Sequence, residues 1–184
     1  MEEDELAGNR RIDRITAEGY ADGLDRLDIE ELRRRRDESR DELDHLSMLR
    51  RYLQSRAGVL TAEARRRAGG DDGTPLMENL AAILAGDSTR QEGQGASGAV
   101  VRLREPDEEM LLARRRVEKL VVDAGGGDPA SLSDGDLSTA VDELREEERV
   151  ISDHRKAVMD VLTVLQEELK RRFKEDPSSA IKPS

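Results

Sequence analysis

Apolar side chains recur at alternating spacings of three and four residues along two stretches of the chain, residues 27–68 and 132–174. This spacing places them on one side of an α-helix and is typical of a coiled-coil seam. The sequence therefore predicts two long amphipathic helices. The central seam positions are Leu32, Ser39, Leu46, Leu53 and Leu60 in the first helix and Leu137, Leu144, Ile151, Val158 and Leu165 in the second.

Both predicted helices begin at a residue suited to cap a helix N-terminus. Asp28 is followed three residues later by Glu31, and Ser133 is followed by Asp136, so both starts are variants of the capping box. Gly69 is expected to end the first helix. The other predicted segments are an acidic, flexible N-terminal segment (1–26), a linker (69–131) with short helices over Leu76–Ala85 and from Pro106 to about Asp123, and a flexible tail (175–184).

The two long segments are similar to each other when the second is shifted back by 105 positions, which also aligns the two caps. Identical residues include the pairs Leu27/Leu132, Leu32/Leu137, Asp37/Asp142, Glu38/Glu143, Arg40/Arg145, Ser47/Ser152, Arg50/Arg155, Leu60/Leu165, Glu63/Glu168, Arg66/Arg171 and Arg67/Arg172. This self-similarity favours an internal duplication. We therefore expect an all-α fold, an antiparallel two-helix coiled-coil hairpin with short helices in the linker. Parallel pairing of the long helices in a dimer remains the alternative.

Composition agrees with a narrow seam rather than a wide core. Charged residues make up 40% of the 184 residues and aromatic residues only 2%, which is typical of long-helix proteins. The net charge of −11 argues against direct nucleic-acid binding and favours a partner with a basic surface. The absence of cysteine fits a cytoplasmic protein, the N-terminus is too acidic for a signal peptide, and no apolar run is long enough to cross a membrane.

Arg50 and Arg155 occupy the same seam position in the two repeats, where an apolar side chain is preferred. Each follows a serine by three residues, Ser47 or Ser152. Gln54 lies one turn after Arg50, and Glu148 lies one turn before Ser152. One interpretation is that the arginines only set the register of the coil. The other is a ligand site, because a guanidinium matches a phosphate or the O6/N7 edge of guanine, and a carboxylate can accept from guanine N1–H and N2–H.

The segment Glu148–Arg155 resembles the opening of a known repeated motif, Glu-x3-Ser-x2-Arg-x3-Gln-x3-Asp, and Ser47-x2-Arg50-x3-Gln54 resembles its middle. This pattern is similar to the RsiG family of anti-sigma factors. The resemblance implies an antiparallel coiled coil that binds a pair of cyclic di-GMP molecules and sequesters the flagellar-type sporulation sigma factor WhiG. It also implies a monomer in the absence of partner. The implied nucleotide ligands are Ser47, Arg50, Gln54, Glu148, Ser152 and Arg155.

Both copies depart from this motif at the final aspartate, and each copy also lacks one other member. In the first copy Leu43 replaces the glutamate and Gly58 replaces the aspartate. In the second copy Met159 replaces the glutamine and Thr163 replaces the aspartate.

No catalytic signature accompanies these residues, so we do not expect an enzyme. The two histidines, His45 and His154, are expected to be solvated or at the edge of the ligand site and not to bind a metal. The first functional hypothesis is a cyclic di-GMP-responsive anti-sigma factor that blocks transcription by its sigma factor. The alternative is a coiled-coil adaptor, or an anti-sigma factor that binds its protein partner without a nucleotide. In either case the short linker helices would cover the hairpin or anchor a partner.

Overall fold

The computed structural model describes residues 10–69, 108–124 and 128–176, and all regular structure in these ranges is helical. The helices are α1 (Arg11–Thr16), α2 (Ile29–Arg67), α3 (Glu108–Asp123) and α4 (Asp134–Glu175). A 3-10 turn precedes each long helix, Leu24–Arg26 before α2 and Pro129–Ser131 before α4. The predicted helix Leu76–Ala85 and nearly all of the predicted tail lie outside the described residues.

The predicted caps start both long helices. The Glu31 backbone N–H donates to Asp28 Oδ1 at 2.7 Å, and the Asp136 backbone N–H donates to Ser133 Oγ at 3.1 Å. Each bond satisfies a backbone donor that has no partner within the first turn of a helix. Just after α2, Gly69 adopts φ 75°, a left-handed conformation that glycine accepts without strain.

The chain divides into two compact units, and each contains part of both long helices. The first unit, Met1–Met48 with Val150–Ser184, packs the start of α2 beside the end of α4. Its core includes Leu32, Leu165 and Leu169, joined by Leu24 of the first 3-10 turn. Because the start of one helix lies beside the end of the other, they run antiparallel here.

The second unit, Leu49–Arg149, holds the end of α2, the start of α4 and α3. Leu53 and Leu60 of α2 and Leu137 and Leu144 of α4 are almost completely buried. Arg67, at the end of α2, donates to the carbonyl of Leu132, just before α4 begins. The helices are therefore antiparallel in this unit too, and the predicted all-α two-helix hairpin is confirmed.

Arg67 and Arg172, equivalent in the two repeats, fasten the helix ends in the same way. Arg67 donates to the carbonyls of Leu132 at 2.6 Å and Pro129 at 3.0 Å. Arg172 donates to the carbonyls of Leu27 at 2.6 Å and of Leu24. Each arginine thus binds the 3-10 turn that leads into the opposite long helix. This repeated arrangement supports the internal duplication.

A glutamate one turn earlier orients each of these arginines. Glu63 accepts from Arg67 Nε, and Glu168 accepts from Arg172 Nε, both at 2.8 Å. Hydrogen bonds from Arg66 and Arg67 lower the pKa of Glu63 to about 2. The pKa of Glu168 is lowered to about 2 in the same way, by the arginines at 171 and 172. Both carboxylates are therefore held in the charged form that the arginines require.

A flexible chain was expected for residues 1–26, but residues 10–26 contain helix α1 and a 3-10 turn, and residues 1–9 lie outside the described residues. Helix α1 buries Ile12 and Ile15, which lie three residues apart on one face. Arg11 is also buried, and its Nε donates to Glu42 Oε2 at 2.7 Å, so an ion pair joins α1 to α2. Apolar burial and this ion pair together hold a segment whose charged composition alone suggested a loose chain.

Linker helix α3 lies close to the predicted position. Val117 and Val121 are each 3% exposed, so one face of α3 is buried within the second unit. Of the two roles considered for the linker helices, this burial agrees with that of covering the hairpin.

Candidate functional site

The structure brings together three of the six predicted ligand residues in the second unit. Arg50 Nε donates to Glu148 Oε1 at 2.7 Å, and Gln54 Nε2 donates to the same oxygen at 3.0 Å. Arg50 and Gln54 lie one turn apart on α2, and Glu148 reaches them from α4. The side chains of Arg50 and Glu148 are 36% and 24% exposed, so this group is open to solvent on one side.

Two more predicted residues meet in the first unit. Arg155 Nε on α4 donates to Ser47 Oγ on α2 at 2.9 Å, and Ser47 Oγ donates to the Leu43 carbonyl at 2.7 Å. The serine hydroxyl is thus oriented by its own helix to accept from the arginine. Ser152 is half-buried one turn before Arg155 on α4. Serine is small enough to leave the guanidinium accessible, which is what a planar or anionic ligand would need.

The two groups differ chemically because equivalent positions of the two repeats hold different residues. Leu43 is the counterpart of Glu148, and Met159 is the counterpart of Gln54. Arg50 therefore has a carboxylate partner from the opposite helix, whereas Arg155 has a hydroxyl. Within the described ranges, no carboxylate lies within ion-pair distance of Arg155. The group around Arg50 therefore contains hydrogen-bond donors and a carboxylate acceptor. The group around Arg155 contains a guanidinium and serine hydroxyls.

One of the two histidines, His45, is less exposed than the sequence predicted. His45 was expected to be solvated or at the edge of the ligand, but it is only 4% exposed. It lies three residues after Glu42, on the side of α2 where Arg11 binds, and this is why the expectation is wrong for His45. His154 is half-buried on α4.

Sequence reasoning also missed the buried pair Arg11–Glu42. The signal was present in the segment from Arg10 to Thr16, where Ile12 and Ile15 have helical spacing. The high charge around these two isoleucines obscured the pattern. The role of Arg67 and Arg172 was likewise hidden, because a basic residue in the last turn of a helix is usually only solvated.

Comparison with known families adds to this geometry. Within residues 10–69, 108–124 and 128–176, no helix has the length and apolar character needed to cross a membrane. No curated protein and no solved structure matches the chain. The model of the family described as RsiG-like matches residues 18–84, which include all of α2, and this match supports an anti-sigma factor role. This match confirms the resemblance inferred from the sequence, and the chain is similar to the RsiG-like family over residues 18–84.

Proposed function

We propose that this chain is a cyclic di-GMP-responsive anti-sigma factor that sequesters a flagellar or sporulation sigma factor of the WhiG type. The observation that carries the proposal is the group formed by Arg50, Gln54 and Glu148, with Arg155 at the position equivalent to Arg50. An arginine in the seam of a coiled coil costs free energy of desolvation unless its guanidinium is paired. A dianionic ligand would supply such pairing.

The chemistry of the first group suits a guanine nucleotide. The guanidinium of Arg50 can donate two parallel hydrogen bonds to guanine O6 and N7 or to a phosphate. Glu148 can accept from guanine N1–H and N2–H, and the amide of Gln54 can donate or accept. In the proposed complex, Glu148 would exchange its hydrogen bonds from Arg50 and Gln54 for those from the base.

The second group suits an anionic ligand of the same class. Arg155 carries a charge that no carboxylate within the described ranges balances, and Ser47 and Ser152 add small hydroxyl groups. A phosphodiester would supply the missing negative charge. The resemblance implies a pair of cyclic di-GMP molecules, whose phosphates would balance both seam arginines.

Nucleotide binding would regulate the protein by linkage. A ligand that binds the hairpin and not its unfolded or splayed states shifts the population towards the hairpin. The hairpin would then insert between the domains of the sigma factor and occlude its DNA- and polymerase-binding surfaces. In this proposal the protein is a cytoplasmic regulator, monomeric without its partner, that does not itself bind nucleic acid or membranes and catalyses no reaction.

The test is calorimetric titration of the full chain with cyclic di-GMP, using GTP and cyclic di-AMP as competitors. We expect saturable binding that only the guanine-containing competitor reduces. Arg50→Ala and Arg155→Ala should each weaken binding by about tenfold or more, since each good bidentate contact contributes about 1–3 kcal/mol. Arg149→Ala is a matched control, because Arg149 is exposed and pairs with Glu146 on its own helix. Unchanged affinity in both seam variants would exclude this site.

A second function is favoured by the same hydrogen bonds. Because Glu148 already accepts from Arg50 and Gln54, the charge of that arginine is balanced without any ligand. An adaptor, or an anti-sigma factor that needs no nucleotide, would therefore also explain the first group. In that case the sigma factor would bind equally with and without cyclic di-GMP, and Arg155→Leu would raise the melting temperature without loss of partner binding.

A further inference from the structure

Helix α3 has a second face that is largely exposed among the residues that the structure describes. Leu111, Leu112 and Val122 are 39%, 55% and 68% exposed, in contrast to the buried Val117 and Val121. At about 100° of rotation per residue, Leu111, Leu112 and Val122 lie within an arc of about 100° on one side of the helix. Three large apolar side chains grouped on one exposed face are more than the scattered apolar residues of an ordinary surface.

Basic residues lie between these apolar side chains. Arg115 and Lys119 are exposed, one turn apart, and lie between Leu111 and Val122 along the same side. Their neighbour Arg114 pairs with Glu118 at 2.7 Å. For Arg115 and Lys119, by contrast, no carboxylate of the described ranges lies within ion-pair distance. We call Leu111, Leu112, Arg115, Lys119 and Val122 the outer face of α3.

The charge of this face differs from that of the chain as a whole. The chain carries a net charge of −11, yet the outer face presents two uncompensated bases among apolar side chains. A complementary surface would be apolar and bordered by carboxylates. Nucleic acid fits less well, because Glu108, Glu109 and Asp123 flank the face at both ends of α3 and the chain is acidic overall.

We propose that the outer face of α3 docks into an apolar groove, bordered by carboxylates, on the sigma factor that the hairpin binds. This inference rests on the proposed function, because it assigns the face to the same partner. The mode is that of an amphipathic helix in a groove, with Leu112 and Val122 as apolar anchors and Lys119 as the charged contact. Helix α3 would thereby give the anti-sigma factor a contact outside its two long helices.

The test compares the affinities of full-length variants for a flagellar-type sigma factor of the same organism, with cyclic di-GMP present at saturation. Val122→Asp and Lys119→Glu should each weaken binding at least tenfold. Val122→Leu and Lys119→Arg keep the apolar and charged character and should bind like the wild type. Lys119→Glu should also reduce the dependence of affinity on salt concentration. Helical circular dichroism checks that each variant is folded.

The outcomes separate the two proposals. If the wild type does not bind the sigma factor, the proposed function fails and the assignment of this face fails with it. If the wild type binds and Val122→Asp and Lys119→Glu bind equally well, only the assignment of the outer face is overturned. It is also overturned if these variants retain the sigma factor but lose binding to anionic vesicles or to duplex DNA. The same holds if their only effect is a changed melting temperature of the free chain.

Discussion

Arg50 Nε lies 2.7 Å from Oε1 of Glu148, so a seam arginine of α2 pairs with a carboxylate of α4. At the equivalent position of the second repeat, Arg155 binds the neutral hydroxyl of Ser47 instead. The difference arises because the counterpart of Glu148 in the first repeat is Leu43. The two repeats thus hold two similar groups, of which only the one containing Arg50 has a carboxylate. The proposed nucleotide site is expected to be correspondingly unequal.

Glu148→Leu tests the half that retains its carboxylate. The substitution copies the residue found at the equivalent position 43 and removes the acceptor proposed for guanine N1–H and N2–H. We expect cyclic di-GMP affinity to fall by about tenfold or more, from a contact worth about 1–3 kcal/mol, as measured by calorimetry. Glu146→Leu is the control, because Glu146 is exposed and pairs with Arg149 on its own helix. Equal affinities of wild type and Glu148→Leu would refute the acceptor role.

Leu43→Glu tests the other half by restoring the missing motif residue. By repeat equivalence, a carboxylate at position 43 would lie beside Arg155, as Glu148 lies beside Arg50. We expect tighter cyclic di-GMP binding, by about tenfold, because a second guanine acceptor is added and Arg155, like Arg50 beside Glu148, can still donate to the ligand. Leu43→Gln, similar in size but uncharged, should gain less. Weaker nucleotide binding by Leu43→Glu, with an unchanged melting temperature, would contradict the proposed equivalence of the two groups.

The fold was largely predictable because the seam repeats over many turns and every central seam position from Leu32 to Leu165 is buried. The caps at Asp28 and Ser133 were equally predictable, since a cap depends on residues within one turn. The long-range pairs could not be predicted, because nothing local in the sequence links Arg11 to Glu42 or Arg172 to the carbonyl of Leu27. For the candidate site, the sequence singled out the six residues, but which arginine meets a carboxylate depends on how the two helices pair.

Arg172→Ala tests the clasp that joins the end of α4 to the turn before α2. Arg172 donates to the carbonyls of Leu24 and Leu27, and hydrogen bonds from a charged donor each contribute about 1.5–3 kcal/mol. We expect the free energy of unfolding in urea to fall by about 3 kcal/mol, the lower end for two such bonds. Lys at this position should not rescue the loss, because an ammonium lacks the guanidinium fork that reaches both carbonyls. Arg171→Ala is the control, since Arg171 within the described residues binds Glu168 and Glu175 on its own helix. An equal loss in both alanine variants would assign the effect to the ion pair that each arginine makes with Glu168 rather than to the clasp.

Glu42→Ala tests how α1 is held. Glu42 and Arg11 are 5% and 8% exposed, and removing one member of a buried ion pair leaves the other without its counter-charge. We expect a loss of about 3 kcal/mol in the free energy of unfolding. The double variant Arg11→Met/Glu42→Leu should lie close to the wild type, because it removes both charges and keeps the volume. If the double variant loses as much as Glu42→Ala, the pair itself contributes net stability, and the expected desolvation cost is wrong.

Acid should destabilise the hairpin through the carboxylates that orient the clasp arginines. Hydrogen bonds from Arg171 and then Arg172 lower the pKa of Glu168 to about 2, from an ordinary value of 4.5. The unfolded chain therefore takes up a proton before the folded chain does, so stability is lost as pH falls from about 4.5 towards 2. We expect the melting temperature, followed by circular dichroism, to fall across this range and to fall less steeply in Glu168→Gln. Because Glu168 lies near the surface, 1 M salt should also flatten the wild-type curve, since the screening length then shrinks to about 3 Å. An identical pH dependence in wild type and Glu168→Gln would show that other carboxylates govern the acid transition.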